Sequence, residues 1–585
     1  MKTTPLRVCL RYLRKHPWLF LAALCCYPLD ALTVVLPPYL IQHILDRAIP
    51  QHNVRLLYML CATYLVALFL EYGIGVLSQY LMSVLGQRAM KALRLDLFSK
   101  VQHLDASYFD RNPTGKTLTR LTNDIEAMGE MFSSGAVTVV ADFISIVAVV
   151  GMMLWLDVHL TLVSFLVVPP LVGLAWVFQK YAHKAFHSIR TYLAHMNAFL
   201  SEHINGMDTV QAFCQEERTA REFYEQNDAY RKANHKAIMY DAWLYAIVEA
   251  IGTTAVAVMV WYGSANLSTH ALGAGTLVAF IQYIRRFFIP LRDLSTKYTV
   301  LQSGFTAAER VVDLLQEPVL ISSPPNPIPC TDFQHSITLK NVSFAYRTLD
   351  EKPVWILRDF NLTLHKNQRI ALVGSTGSGK TTVLKLLNRT YDVQEGQVLI
   401  DGVDIRTMAL EDVRQLFGVV LQDVFLFSGT VLENLTFFGK VPEEKALHAV
   451  HAMQAEHIIQ RLPNGYHTHL HEMGHNLSSG EKQLLALVRA LAFDPKVIIL
   501  DEATSSIDSD TEAKIQQALR ILLHNRTAVV VAHRLSTIEE VDNIIVMKDG
   551  ACIEQGTHTS LLKQKGFYHT LYHTHTLSSS TMHAP

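Results

Sequence analysis

No two cysteines in this chain are spaced Cys-x-x-Cys, and neither sign of charge is in excess. The seven cysteines, at 9, 25, 26, 61, 214, 330 and 552, are scattered. That pattern implies neither a zinc cluster nor a disulfide framework. Lys and Arg number 51 against 52 Asp and Glu, a net charge of −1. A balance of this kind lacks the basic footprint of a nucleic-acid binder, so no nucleic-acid partner is expected. There is no internal repeat. No small-residue cleavage site follows the first apolar stretch, which therefore does not read as a removable signal.

What is present is unevenly distributed. At 585 residues the chain is too long for one domain. Its first half carries long apolar runs, and the remainder reads as a soluble α/β domain. Six stretches, near 18–45, 55–84, 136–156, 158–179, 240–262 and 272–296, are long enough to cross a bilayer, which takes about 20 residues. Lys2, Arg7, Arg11, Arg14 and Lys15 precede the first, with no acid among them. The long segments 85–135 and 180–239 are also rich in Lys and Arg, whereas 46–54, the turn at 157 and 263–271 are nearly free of them. By the positive-inside rule both termini lie in the cytoplasm. The expected divisions are an interfacial helix at 1–16, a membrane domain at 17–317, a proline-rich linker at 318–332, a soluble domain at 333–573 and a disordered tail at 574–585. Four prolines within 322–329 mark the linker.

The soluble half holds the chemistry. Gly374-Ser375-Thr376-Gly377-Ser378-Gly379-Lys380-Thr381-Thr382 follows the apolar run Arg369–Val373. Glycines at this spacing let backbone N–H groups turn inward around phosphates, with Lys380 reaching the β/γ-phosphates and Thr381 a Mg²⁺ ion. A Gly-rich turn is the plainer reading, which the strand before and the helix after argue against. Downstream come Leu477-Ser478-Ser479-Gly480-Glu481 and the apolar strand Val497–Leu500 ending in Asp501-Glu502. Ser478 with Glu481 three residues on is a capping box at a helix start. His471-Glu472-Met473-Gly474-His475 matches the zinc-protease pattern His-Glu-x-x-His. That chemistry needs both histidines on one rigid helix face, and these follow Pro463-Asn464-Gly465 and include Gly474, so the match is rejected.

These motifs, in this order, resemble the nucleotide-binding domain of ATP-binding cassette transporters. With six preceding spans, nearly the whole chain resembles a half-transporter of the exporter (type IV, multidrug and lipid) class. The resemblance implies a six-span α-helical membrane domain followed by an α/β domain with a RecA-like core and antiparallel-β and α-helical subdomains. It implies ATP and Mg²⁺ as cofactors, with Thr381, Gln422 and Asp501 on the metal, Tyr346 stacked on adenine, Glu502 as general base and His533 contacting the γ-phosphate. Asp508 falls in the loop that touches the opposite domain. Ser478 and Gly480 would address the ATP of a second half-transporter, so hydrolysis requires a dimer. Singly, a tyrosine on a strand is usually packing and a lone Gln usually surface.

The family's usual signature is Leu-Ser-Gly-Gly-Gln. Here Ser479 adds a Cβ and Glu481 adds a negative charge near an anion site. One hydrolytic half with one imperfect signature is what heterodimeric exporters look like. A heterodimer with a homologous half is therefore favoured over a homodimer. The implied setting is a bacterial plasma membrane and the implied cargo amphipathic drugs or lipids. An importer on the same fold, such as one for metal chelates, is the alternative.

The segments 108–124 and 205–213 resemble the cytoplasmic loops whose short helices couple the two domains. Asp30, Glu71, Asp142, Glu249, Arg285 and Arg286 fall within apolar stretches. They either line a substrate cavity or pair to hold the bundle; Asp142, near the inner leaflet, leans structural. Neutralising Glu249 or Arg286 is expected to disturb substrate-stimulated more than basal ATPase.

Overall fold

The computed structural model describes residues 5–166, 168–267, 273–330, 332–347, 352–501, 509–531 and 538–573. The chain divides into two units, Met1–Gln102 with Gly115–Glu317, and His103–Thr114 with Pro318–Pro585.

The first unit is helical. Its main helices are Pro17–His43, Val54–Gln102, Val137–Leu156, Val158–Phe165, Val168–Asn205, Glu216–Leu267 and Ala274–Gln316. The described residues of all six apolar stretches are thus almost entirely helical, which is what hydrocarbon demands, since a helix satisfies its own backbone hydrogen bonds. Several run far past the expected ends. Val54–Gln102 has 49 residues and so extends roughly 74 Å, more than twice the ~30 Å of a bilayer core. Among the described residues four segments are long and apolar enough to cross a membrane: Pro17–Ala48, Val54–Gln102, Thr114–Leu156 and Glu216–Gly263. The expected count of six is therefore met by four on length and composition. The fourth expected span is divided between Val158–Phe165 and Val168–Asn205, and the sixth carries Arg285 and Arg286. Phe69 is 78% and Trp261 77% exposed, the signature of a surface made for lipid rather than water.

A buried core of Val149, Met153, Leu160, Met259, Phe280 and Tyr283 joins Val137–Leu156, Val158–Phe165, Glu216–Leu267 and Ala274–Gln316. The first connection also fastens the last helix. The Asp46 carboxylate accepts from Gly275 N at 2.6 Å, Thr276 N at 3.0 Å and the Thr276 hydroxyl at 3.1 Å. Gln42 Nε2 adds a bond of 3.0 Å to the same hydroxyl. These are the orphan donors of the first helical turn, capped by a carboxylate that also complements the helix dipole. Gly275 is needed for the close approach, because a Cβ there would lie 2.5 Å from the Gln42 carbonyl oxygen. Asp46→Ala should destabilise the fold by about 1–2 kcal/mol, read as a lower thermal midpoint in detergent. Asp46→Asn, which keeps one acceptor, should lose less.

The second unit is built on two main sheets and a small two-stranded one at Gly429–Thr430 and His469–Leu470. The strands are β1 (Ser336–Arg347), β2 (Pro353–His365), β3 (Arg369–Gly374), β4 (Glu395–Ile400), β5 (Val403–Asp404), β6 (Phe417–Val420), β7 (Gly429–Thr430), β8 (His469–Leu470), β9 (Val497–Asp501), β10 (Thr527–Val531), β11 (Asn543–Lys548) and β12 (Ala551–Gly556). One sheet runs β12-β11-β3-β10-β9-β6, parallel except for the β12 edge. The other is antiparallel, β2-β1-β4-β5. The inner strands are apolar on both faces because both are covered. Ile370, Leu372, Val529 and Val531 point to a core shared with the antiparallel sheet. Their neighbours Ala371, Val373, Ala528 and Val530 point to a core shared with the helices between β6 and β9. Period-two alternation therefore puts the end of β3, where the glycine-rich loop begins, between two buried layers.

The proline-rich segment is fastened to this second unit. Cys330 N donates to Asp412 at 3.1 Å, and Leu320 N and Ile321 N donate to the Asp105 carboxylate at 2.7 and 2.9 Å.

Candidate functional site

Helix Lys380–Leu387 starts at the C-terminal edge of the parallel sheet, one loop after β3. The loop needs its glycines. Gly377 and Gly379 sit at φ of 84° and 99°, a region costly for residues with a Cβ. A Cβ on Gly374 would collide with the Met547 carbonyl oxygen of neighbouring β11.

Within the loop the Lys380 ammonium donates to the carbonyls of Gly374 and Ser375, both at 2.8 Å. Lys380 is buried, and desolvation lowers its pKa while Asp501 opposes that shift. The Thr381 hydroxyl donates to Asp501 Oδ2 at 3.1 Å, joining the helix start to the end of β9. Ser378 Oγ is buried and, among the described residues, has no hydrogen-bond partner. A buried hydroxyl left unsatisfied is costly; here it lies in the loop whose backbone would surround a phosphate, so the residues fit a triphosphate. Thr381 and Asp501 bring two hard oxygen donors together, a donor set that suits Mg²⁺. Ser375, Thr376 and Thr382 complete the loop and first turn.

Tyr346, at the end of β1, borders a cavity of 580 Å³ that also touches Thr381, Lys385, Tyr391 and Asp110. Its hydroxyl is 3.4 Å from Thr382 Oγ1, and its ring stands edge-on to Tyr391 at 5.4 Å. Lys385 Nζ lies 5.7 Å from its centroid. Gln394 clamps the strand end by exchanging two 2.8 Å bonds with the Ala345 backbone. Tyr391, Lys385 and Gln394 were not among the residues expected from the sequence, and Tyr391 carries the most consequence. Its hydroxyl donates to the Asp110 carboxylate on helix Ala106–Arg111, in the first of the expected coupling segments. Burial first, then Asp110, raises the pKa of that phenol.

Gln422 is exposed in the loop after β6, and Asp501 ends β9. Glu502, Asp508 and His533 lie outside the described residues. Ser478 is the N-cap of helix Ser479–Phe493, and both capping-box bonds form: Glu481 N to Ser478 Oγ at 3.3 Å and Ser478 N to Glu481 Oε2 at 2.9 Å. Arg461 sits 3.6 Å from the Glu481 carboxylate. Gly480 is buried. The His-Glu-x-x-His match falls on a short 3-10 turn, Glu472–Gly474, in which Met473 has φ 54°, so no rigid helix face carries the two histidines.

In the helical unit, five of the six charges expected in the spans, all but Asp30, separate into two kinds. Glu71 pairs with Arg286 at 2.9 Å, and Arg286 also donates to the Val34 carbonyl. Asp142 pairs with Lys297, a partner the sequence did not single out. Glu249 and Arg285 instead line a 340 Å³ cavity. The second expected coupling segment forms helix Met207–Ala212, flanked by the exposed Ile204 and Phe213.

Two family models match the chain: the ABC transporter transmembrane region over residues 20–291, and the ABC transporter model over 357–505. The uncharacterized ABC transporter ATP-binding protein YknV of Bacillus subtilis is 36% identical over 92% of this chain and 89% of its own length. A fatty acid ABC transporter ATP-binding/permease protein of Mycobacterium tuberculosis is 36% identical over 86% of this chain and 80% of its own. An ATP-dependent lipid A-core flippase of Syntrophus aciditrophicus is 30% identical over 96% and 93%. Among solved structures, a bacterial Atm1-family ABC exporter with ATP bound superposes with a TM-score of 0.76 at 25% identity, covering 96% of this chain and 98% of that one. This chain therefore belongs to the ABC transporter family, as an ATP-driven, exporter-type half-transporter with a membrane-spanning helical region and an ATP-binding domain.

Proposed function

We propose that this chain is the hydrolytic half of a heterodimeric exporter of amphipathic drugs or lipids in a bacterial plasma membrane, with both termini and the ATP-binding domain cytoplasmic. The distribution of Lys and Arg supports the orientation. The relatives named as a fatty acid transporter and a lipid A-core flippase support the cargo class and do not favour the importer alternative.

The observation that carries the reading is the contact of Thr381 with Asp501 beside Lys380 and the orphaned Ser378 hydroxyl. Phosphoryl transfer is mostly positioning and charge stabilisation, and this cluster supplies both. Residues 374–379 would cradle the phosphates, Lys380 would exchange its two backbone carbonyls for phosphate oxygens, and Tyr346 would stack on adenine. Thr381, Asp501 and Gln422 would hold Mg²⁺, which neutralises charge on the β- and γ-oxygens when bound. Glu502 would polarise the attacking water and His533 would contact the γ-phosphate. Ser478 and Gly480 would face the second half's ATP, where a helix N-terminus favours an anion.

Nucleotide closure can shift the membrane domain only through its preference for one state. Asp110 and Tyr391 are the contact through which the adenine cavity would reach the first coupling helix. Exposed Phe213 and Ile204 would serve the second against the other half.

Purified alone in lipid, the chain should show weak ATPase activity, and co-assembly with its homologous half should raise it at least about tenfold. A single copy enclosed in a nanodisc should bind ATP yet barely turn it over. Robust, transport-coupled hydrolysis by the chain alone would refute the heterodimer, and full-speed hydrolysis by the enclosed single copy would refute the shared site.

A further inference from the structure

Buried or membrane-embedded charge is costly unless something compensates it. Glu71, Arg286, Asp142 and Lys297 compensate one another. Glu249 and Arg285 do not: among the described residues neither side chain has a hydrogen-bond or ion-pair partner, and both border the 340 Å³ cavity between helices Glu216–Leu267 and Ala274–Gln316. The rest of that wall is largely apolar, with Val248, Val256, Phe288 and Ile289. The Thr253 hydroxyl there is already spent on the Glu249 backbone carbonyl at 2.9 Å. The volume is at the lower end of the range for small-molecule sites, about 300–1,000 Å³.

An ionised carboxylate only accepts hydrogen bonds, and a guanidinium only donates, in a planar fork matched to carboxylate, phosphate or sulfonate. A ligand of one charge would engage one group and leave the other without a counter-charge. We propose that this cavity binds a zwitterionic amphiphile, its anionic group on Arg285, its cationic group on Glu249 and its chain along Val256, Phe288 and Ile289. This assignment rests on the reading of the chain as an exporter of amphipathic molecules, and it names the class of cargo. Arg286, one residue away, is already paired and serves the bundle.

The test uses three decyl probes at submicellar concentration: a sulfobetaine, decyltrimethylammonium and decyl sulfate. Each is radiolabelled, and equilibrium binding is measured without ATP to the full chain, in the assembly it forms, in phosphatidylglycerol nanodiscs. Wild type should hold the sulfobetaine at least about tenfold tighter than either singly charged probe, because it alone pairs with both side chains, the sulfonate by hydrogen bonds from Arg285 and the quaternary ammonium by charge with Glu249. Glu249→Gln should abolish the preference over decyl sulfate, and Arg285→Gln the preference over decyltrimethylammonium. Equal affinities in wild type, or a uniform loss for all three probes in both variants, would overturn the proposal and mark the two groups as structural. Arg285→Lys keeps the charge and guards against misfolding; it should retain the preference in part.

Adding phosphatidylethanolamine to the disc separates the two sources of this chemistry. Weaker sulfobetaine binding identifies a lipid headgroup as occupant, and unchanged binding a free amphiphile. ATPase stimulation by the same probes is read separately. Selective binding that leaves ATPase unmoved would count against the transport reading alone, and stimulation without selectivity against this site alone.

Discussion

Lys380→Ala should lower ATP turnover by about a hundredfold to a thousandfold, the scale seen when one preorganised charge-stabilising donor is removed. The ammonium is desolvated and aimed into the loop, bonded among the described residues to the Gly374 and Ser375 carbonyls. A group so placed reorganises little when phosphate oxygens replace those carbonyls. Turnover of the reconstituted assembly checks the size of the effect, and a fluorescent ATP analogue checks binding separately. Lys380→Arg keeps the charge but replaces a compact ammonium by a planar fork that the narrow loop cannot seat, so it should recover little. Turnover within a factor of a few of wild type in Lys380→Ala would remove the loop from the mechanism.

The second large effect is a gain. Ser479→Gly with Glu481→Gln should raise the ATPase of the chain alone by about tenfold and leave the heterodimer's main site nearly unchanged. Glu481 folds back onto the Ser478 N–H, which fixes its carboxylate at the helix end that would meet the other half's triphosphate. Two like charges a few ångströms apart at an effective dielectric of 20 repel by about 1–4 kcal/mol before screening, enough for a tenfold change. The amide introduced by Glu481→Gln would retain a carbonyl for the same capping bond, so the helix start should survive. Glu481→Gln alone separates the charge from the Cβ of Ser479. No change in the double variant would mean that the Arg461 contact already neutralises this carboxylate.

The glycine-rich loop, the Ser478 cap and the end of β9 were legible in the sequence because each is local. A glycine at positive φ, an oxygen three residues before a Glu, and an apolar run ending in Asp all announce themselves within a few residues. The strands at 369–373 and 497–500 were legible for a related reason, since strands covered on both faces are apolar throughout; the core they belong to was an implication of the resemblance. What escaped is long-range. Tyr391 meets Asp110 across 281 positions of chain, and Lys297 meets Asp142 across 155. No spacing rule connects such pairs. The sequence also left open which membrane charges pair with each other. Glu71 and Arg286 fall on helices whose rotation about their axes is set by packing, and only the folded bundle shows that Arg286 faces Glu71 while Arg285 turns to a cavity. Helix ends were not legible, because hydropathy stops at the edge of the hydrocarbon, whereas Val54–Gln102 does not.

The Asp46 cap has a mechanical side. By holding the first turn of Ala274–Gln316 to the end of Pro17–His43, it couples the first and last of the long apolar helices at one rim of the bundle. Those two cannot part there without stripping three acceptor contacts from one carboxylate. Any widening at that rim must therefore come from seams other than this one, and the seam between Glu216–Leu267 and Ala274–Gln316 is itself closed by the buried core of Met259, Phe280 and Tyr283.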